Sequence, residues 1–277
     1  MRIFLVALSF FTLNVYAQSY LIMENGITLT TDSDGYSYDF GHYAFPQKIS
    51  LRGGQYFVED GNILVTIDEK GLLYRKYELI PENIMGKGIN YFLSNEGELY
   101  TIDRLGSVRI IKNELYKDAI NFGGNYFTIP SNPEKTKIDL YVVTKDGTVI
   151  KAIAPRFGSK EIVSFGGTYF MTNKGVLFTV AHDGTVTLSN DFRIGLLSKR
   201  GGNYFIDSSG IFFTVTATGD LIIPDLPMNL RIGTILRFGS NYFIDQSGNF
   251  YVVGKDGQVF ERVMTDHDFR LAKVISL

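Results

Sequence analysis

Three arginines recur at one phase of the sequence and could form an anion-binding site. Arg193, Arg231 and Arg270 each stand between two apolar residues at what we interpret as successive junctions between structural units. A guanidinium group binds carboxylate through two parallel hydrogen bonds, so a cluster of these arginines would hold an acidic partner. The recurring apolar neighbours favour an alternative, in which each arginine anchors a loop to the adjacent unit.

Three tyrosines in segments that we expect to be loops could bind a different ligand. Tyr43, Tyr77 and Tyr116 offer flat, amphipathic rings of the kind that pack against sugars. In a repeat protein several such sites would give multivalent binding. A carbohydrate-binding, lectin-like protein is therefore an alternative function.

Acidic and histidine motifs give little support for a metal or a cofactor. The segment Asp32–Gly35 resembles part of a calcium loop, yet it occupies the same position in the repeat as several Asp-Gly pairs. Asp-Gly is the signature of a tight hairpin turn, which explains all of these pairs. The histidines His42, His182 and His267 are scattered, and each is interpreted as a solvated loop residue. We expect no metal and no cofactor.

The residue types also argue against a familiar catalytic set. The chain has no Cys, its Ser residues lack the sharp strand-to-helix motif of a hydrolase nucleophile, and its Gly pairs precede strands rather than phosphate-binding helices. We therefore expect no enzymatic activity. An enzyme with a central pocket stays an alternative, which would show as paired acidic side chains near the axis of the fold.

Charge and the amino terminus restrict the partner and the compartment. With 27 Lys and Arg against 29 Asp and Glu, the chain has no basic field for nucleic acid. Residues 1–17 combine an early Arg2, an apolar stretch and a small-residue end, which predicts a secretory signal peptide cleaved before Gln18. No later stretch is apolar enough to span a membrane. We expect an exported protein, periplasmic or secreted, whose partner is another envelope or extracellular protein, or a glycan.

The elements that position these residues come from a repeat. A Tyr followed by an apolar residue recurs every 35 to 43 residues, and each copy precedes an apolar run bounded by Gly turns. The seven tyrosines are Tyr20, Tyr56, Tyr91, Tyr126, Tyr169, Tyr204 and Tyr242. The runs are rich in β-branched and aromatic residues without polar alternation, which indicates short strands buried on both faces. Their regular recurrence favours packing between units over ligand binding for the repeat tyrosines.

Stacked units of four short strands predict an all-β, seven-bladed β-propeller over residues 18–277. The carboxy-terminal segment Val274–Leu277 resembles the first strand of a unit. The unit that begins after Gln18 lacks this strand. We therefore predict that the terminal strands pair and close the ring. A linear β-solenoid is the alternative. The irregular segments Ser131–Lys137, Ala152–Lys160 and Pro224–Asn229 would lie on one face, where function is expected.

The repeat resembles those of known propeller families. The pattern Gly-Gly-x-Tyr-Phe, followed by an apolar strand and Asp-Gly, stands at Gly166–Phe170, Leu140–Val143 and Asp146-Gly147. It resembles the short-blade propellers of the tectonin and tachylectin type, and it is similar to bacterial Trp-Gly repeats. Those families usually carry Trp and this chain has none, so no site residue is taken from them.

A rigid ring with variable loops and no catalytic set indicates a binding protein. The leading hypothesis is an exported, non-catalytic scaffold for protein–protein interaction. The candidate ligand-binding residues are Arg193, Arg231, Arg270, Tyr43, Tyr77 and Tyr116.

Overall fold

The apolar runs of the repeat are β-strands in the structure. This is a computed structural model, and it describes residues 20–22, 27–31, 37–42, 49–59, 62–76, 80–153, 161–189 and 194–262. Where burial is described for a whole apolar run, every residue is buried except Ile63 and Tyr141, which are partly buried; Leu177–Val180 and Phe212–Val215 are buried throughout. The prediction of strands covered on both faces is therefore confirmed.

The strands form antiparallel sheets in which neighbours in sequence are neighbours in space. The first sheet has three strands: β1 (Tyr20–Ile22), β2 (Ile27–Thr31) and β3 (Ser37–His42). The next two sheets have four each: β4 (Ile49–Arg52), β5 (Tyr56–Glu59), β6 (Ile63–Ile67) and β7 (Leu73–Lys76), then β8 (Ile84–Lys87), β9 (Tyr91–Ser94), β10 (Glu98–Ile102) and β11 (Val108–Lys112).

Four further sheets repeat this order, again with four strands each. They are β12 (Ile120–Phe122), β13 (Tyr126–Pro130), β14 (Ile138–Val143) and β15 (Val149–Lys151); β16 (Ile162–Phe165), β17 (Tyr169–Thr172), β18 (Leu177–Val180) and β19 (Val186–Ser189); β20 (Leu197–Arg200), β21 (Tyr204–Asp207), β22 (Phe212–Val215) and β23 (Leu221–Ile222); β24 (Ile235–Phe238), β25 (Tyr242–Asp245), β26 (Phe250–Val253) and β27 (Val259–Arg262). Short 3-10 helices span Glu114–Asp118 and Ile232–Thr234.

The architecture is an all-β propeller with small four-stranded antiparallel blades, as predicted, but the predicted blade number is wrong. The described residues form six four-stranded blades rather than seven. The remaining sheet, β1 to β3, has three strands because no described residue supplies a fourth. Val274–Leu277, which were predicted to provide that strand, lie outside the described residues, as do residues 1–17.

The repeat tyrosines join the sheets into a circle. Each hydroxyl donates a hydrogen bond to the backbone carbonyl of the next repeat tyrosine, for example from Tyr126 to Tyr169 at 2.7 Å. The same bond links the other pairs at 2.6 to 3.2 Å: Tyr20 to Tyr56, Tyr56 to Tyr91, Tyr91 to Tyr126, Tyr169 to Tyr204, Tyr204 to Tyr242 and Tyr242 to Tyr20. All seven rings are buried, which confirms the predicted packing role.

Aromatic rings fill the space between consecutive sheets. Six of the seven repeat tyrosines pack against the phenylalanine that follows the next repeat tyrosine, as Tyr169 does on Phe205 with ring centroids 4.9 Å apart, and Tyr242 stacks on Phe250. Burying an aromatic side chain in such a pair contributes more than its area alone, by about 0.5–1.5 kcal/mol. The interior is thus divided into equivalent inter-sheet layers.

The hairpin order gives the ring two different faces. Within a four-stranded blade, the turn from first to second strand and the turn from third to fourth strand lie at the same end. We call this end the turn face. The opposite end, the loop face, carries the turns from second to third strand and the connections between sheets.

Candidate functional site

A cavity of about 290 Å³ lies inside the ring and is lined by residues of the turn face. Two positions of the repeat supply most of the lining. One is the residue before the repeat tyrosine, occupied by Gln55, Asn90, Asn125, Thr168, Asn203 and Asn241. The other is the second residue of the turn between third and fourth strand, occupied by Glu69, Arg104, Lys145, His182, Ala217 and Lys255. We call these sets the amide row and the rim row.

The turn that carries the rim row has a fixed backbone. In each case the Gly N–H that closes the turn donates to the carbonyl three residues earlier, as Gly147 does to Thr144 at 2.9 Å. That Gly has positive φ, +70° at Gly147, a conformation that other L-residues adopt only with strain. The predicted Asp-Gly hairpin turns are therefore present at Gly147, Gly184 and Gly257.

Hydrogen bonds between units hold the rim residues side by side. The backbone N–H of Lys145 donates to the His182 carbonyl at 3.2 Å, and that of Arg104 donates to the Lys145 carbonyl at 2.7 Å. The same bond joins Glu69 to Arg104, His182 to Ala217 and Ala217 to Lys255. The rim row is thus a continuous arc whose side chains differ while its backbone does not.

The arc carries more positive than negative charge. Arg104, Lys145 and Lys255 are cationic, and Glu69 is the acidic member of the row. The Arg104 guanidinium pairs with Asp146 at 3.3 Å and lies 3.9 Å from Glu69. These pairs are exposed, so solvent screens them and each contributes about 1 kcal/mol or less. An anion that enters the cavity meets accessible cationic groups.

His182 lies between Lys145 and Ala217 in the arc. Its side chain is accessible to water, yet surrounding protein removes enough solvent to lower its pKa from the ordinary value. The Lys145 ammonium lowers that pKa further, and Asp183 opposes the shift. His182 is therefore neutral at pH 7, and an anion bound beside Lys145 would raise its pKa.

The amide row serves first to join neighbouring units. Asn90 Nδ2 donates to the Thr144 carbonyl at 3.1 Å, and Asn125 Nδ2 donates to the Ala181 carbonyl at 3.4 Å. The Oδ1 atoms of Asn90, Asn125 and Asn203 are buried and have no hydrogen-bond partner among the described residues. Unpaired buried acceptors are costly, by about 1–3 kcal/mol each.

The acidic residues that line the cavity are Asp68 and Glu69, and both carboxylates have partners within the protein. Asp68 accepts hydrogen bonds from the backbone N–H groups of Lys70 and Leu72 and from the Tyr74 hydroxyl, so it shapes its own turn. Among the residues that the structure describes, no group of three or more His, Cys, Asp or Glu could hold a metal ion.

The structure describes one of the three predicted arginines, Arg231. Arg231 is exposed on the loop face, where its carbonyl accepts hydrogen bonds from the backbone N–H and the hydroxyl of Thr234. Its neighbours Leu230 and Ile232 pack into an inter-sheet core, which fits the anchoring alternative. Arg193 and Arg270 lie outside the described residues. Their role stays a prediction.

Of the predicted sugar-binding tyrosines, the structure describes Tyr116. Its side chain is 5% exposed and packs edge-on against Phe127 and Tyr141, so its faces are not available to a ligand. Tyr43 and Tyr77 lie outside the described residues. His42 lies in β3, His182 lies in the rim row, and His267 is not described.

The cavity residues were missed in the sequence because they do not interrupt the repeat. Each rim residue lies in a turn of constant length, whereas binding residues are expected in segments whose length varies. The signal was present nonetheless: Arg104, Lys145, His182 and Lys255 are basic residue types at one repeat phase.

Comparisons with known proteins reach the level of fold only. No protein-family model and no curated protein matches the sequence. Among solved structures, a streptogramin B lyase matches with 13% identity over 92% of this chain and 86% of that chain, at a TM-score of 0.35. PorZ, a surface component of the type-IX secretion system of Porphyromonas gingivalis, matches with 11% identity over 90% of this chain and 38% of that chain, at a TM-score of 0.33.

A further match is YCF48 bound to D1 peptide, with 14% identity over 90% of this chain and 94% of that chain, at a TM-score of 0.28. At this similarity none of these proteins' activities carries over to the chain. No helix within the described residues is long and apolar enough to cross a membrane.

Proposed function

We propose that this protein is a non-catalytic binding module that receives an anionic segment of a partner protein in its central cavity. The observation that carries the proposal is the charge of the cavity lining, in which the cationic Arg104, Lys145 and Lys255 outnumber the acidic Asp68 and Glu69. Charged groups around a concave site raise the local concentration of an oppositely charged ligand. The slightly acidic protein thus has a local site of opposite sign.

The size and lining of the cavity limit what it can receive. A volume of about 290 Å³ is at the lower end of the range for small-molecule sites, about 300–1,000 Å³. It suits a few residues of an extended chain rather than a folded surface. The polar lining comes from every four-stranded blade, so one ligand could contact several blades at once.

Export belongs to the same proposal. It rests on residues 1–17, whose composition is that of a cleaved secretory signal. Amino-terminal sequencing of the protein from its native source should give Gln18 as the first residue. A chain that retains Met1 would contradict export with cleavage.

Binding of an acidic peptide tests the proposed function. A labelled octapeptide of alternating Asp and Gly, blocked at both ends, should bind and lose affinity as salt rises. Lys145→Ala should weaken binding about tenfold, the equivalent of one charge-assisted hydrogen bond. The matched control is Lys137→Ala, because Lys137 is an exposed lysine in the insertion on the loop face. The proposal would be contradicted if a Lys-Gly peptide bound as tightly as the Asp-Gly peptide, or if both variants lost the same affinity.

A further inference from the structure

The unpaired amide oxygens of the cavity wall offer acceptors that the rim row does not. Asn90 and Asn125 are each 5% exposed, and the amide nitrogen of each is held by a carbonyl of the next unit. This bond fixes the orientation of the side chain. Their Oδ1 atoms, and that of Asn203, have no hydrogen-bond partner among the described residues, although all three side chains line the cavity.

The amide row and the rim row are adjacent. Asn90 is bonded to Thr144, which directly precedes Lys145, and Asn125 is bonded to Ala181, which directly precedes His182. Each acceptor is therefore one residue away from a basic rim residue. A ligand that reaches the rim with an anionic group has hydrogen-bond acceptors within reach of the atoms next to that group.

This arrangement selects a ligand with an anion and donors close together. A chain terminus has both, since its carboxylate follows directly on backbone N–H groups. An acidic sugar also has both, but none of the described residues that line the cavity is Phe, Tyr or Trp, the side chains that pack on sugar rings. The half-buried side chain of Ile89 adds an apolar contact. The lining thus favours peptide over carbohydrate.

We propose that the cavity binds the free carboxyl terminus of a partner polypeptide. The terminal carboxylate lies against Lys145 and Arg104, and the last backbone N–H groups donate to Oδ1 of Asn90 and Asn125. The inference rests on the proposed function and narrows it, because a blocked acidic segment would use the cations without the amide row.

A pair of peptides that differ only at the end group tests this inference. An octapeptide of Ser and Gly ending in Val, labelled at its amino end, is compared as free acid and as carboxamide by fluorescence anisotropy. The free acid should bind about tenfold or more tightly, because the amide lacks the charge that strengthens the hydrogen bonds. Lys145→Ala should reduce this preference, and Lys137→Ala should leave it unchanged.

Measurements on the unaltered protein keep the test independent of variant folding. In NMR spectra, the free acid should shift the side-chain N–H₂ signals of Asn90 and Asn125 and raise the pKa of His182. N-acetylvaline, a minimal terminus, should produce the same shifts at higher concentration. The corresponding variant is Asn125→Ser, and its melting temperature shows whether it is folded. It should weaken binding of the free-acid peptide more than binding of the blocked acidic peptide.

The outcomes separate the inference from the proposed function. Equal affinity of free acid and carboxamide overturns the inference, and the proposed function then stands if the blocked acidic peptide binds. Binding of glucuronate without binding of the free-acid peptide overturns the inference in favour of an acidic sugar. Failure of all peptides to bind overturns both.

Discussion

The turn face and the loop face are built on opposite rules. On the turn face, hydrogen bonds cross from one unit to the next, as from Thr168 N–H to the Gly202 carbonyl at 2.9 Å. On the loop face, they stay within one unit and the connections that adjoin it, as from Ser131 N–H to the Lys137 carbonyl at 2.9 Å. The first face therefore keeps one backbone and varies its side chains, whereas the second varies its backbone.

This difference explains why the candidate site lies where the chain is most regular. Binding needs side chains held in a fixed relation, and the inter-unit bonds of the turn face provide this without long loops. Segments of variable length are common binding sites in other folds because a rigid scaffold supports them. Here the rigid face carries the charged side chains that line the cavity.

High pH should lower the stability of the fold more than any other change, because it ionises the repeat tyrosines whose hydrogen bonds join the sheets. Burial raises the pKa of Tyr20, Tyr126, Tyr169 and Tyr204, whereas in the unfolded chain these hydroxyls ionise near pH 10. Stability is therefore intact below about pH 10 and falls above it, since unfolding then releases protons. The four residues together lower the unfolding free energy by about 5 kcal/mol per pH unit.

Tyrosinate absorbance and circular dichroism, followed together, check this expectation. The late fraction of tyrosinate should appear in the same pH interval in which the β-sheet signal is lost. If all tyrosines ionised near pH 10 and the β-sheet signal did not change, the hydrogen bonds between the repeat tyrosines would not be needed to hold the units together.

Replacing a glycine by alanine should cost more stability on the turn face than on the loop face, because the added Cβ is more crowded there. A Cβ at Gly167 would lie 2.5 Å from the Gly202 Cα, within backbone that cannot move aside, whereas one at Gly210 on the loop face would meet nothing within 4 Å. Gly167→Ala should cost about 3 kcal/mol. Gly210→Ala should cost about 1 kcal/mol, because of its positive φ of 82°. Urea unfolding gives both values, and similar costs would erase the contrast between the faces.

Removal of one hydroxyl should have a smaller effect that again depends on the face. Tyr126→Phe removes the donor that bonds the Tyr169 carbonyl at 2.7 Å and leaves it the Gly166 N–H at 2.8 Å, at a cost of about 1 kcal/mol. Tyr116→Phe, on the loop face, removes a hydroxyl that interacts with Asn113 of the same connection. It should cost less than half as much in thermal unfolding. A larger loss at Tyr116 would reverse the comparison.

The smallest expected effect is electrostatic and local to the rim row. Lys145→Ala should raise the pKa of His182 while leaving it below the ordinary value, because burial, the larger cause of the shift, remains. The expected change is below about one pH unit. NMR titration of the His182 ring measures it, and Lys137→Ala should leave it unchanged. A drop in the His182 pKa would contradict the described arrangement.

The sequence permitted a good prediction of the repeat and a poor one of the site. Runs such as Leu177–Val180 were predictable because burial on both faces favours aliphatic and aromatic residues and Thr at every position. Gly pairs and Asp-Gly turns were predictable because their backbone requires those residues. The blade number was wrong because it counted a strand at Val274–Leu277 that the described residues do not include.

The cavity was not predictable from the same reasoning. Whether a turn residue such as Lys145 or His182 faces solvent or the axis depends on how units are arranged around the ring, which one repeat does not reveal. The orientation of the Asn90 and Asn125 side-chain amides, and so the position of their unpaired oxygens, depends on carbonyls of the next unit that accept from their N–H₂ groups. Tyr116 was assigned to a binding loop, and it is buried because neighbouring aromatic rings cover it.

The seven tyrosine hydroxyls also have a direction, since each O–H points from its own sheet to the following one. Dipoles that circulate in one sense around a closed loop cancel, so the set produces no net field along the axis. A single α-helix instead directs its aligned peptide dipoles along its axis. The potential felt by a molecule on the axis is therefore left to the few charged side chains at the opening, and single substitutions there can reset its sign.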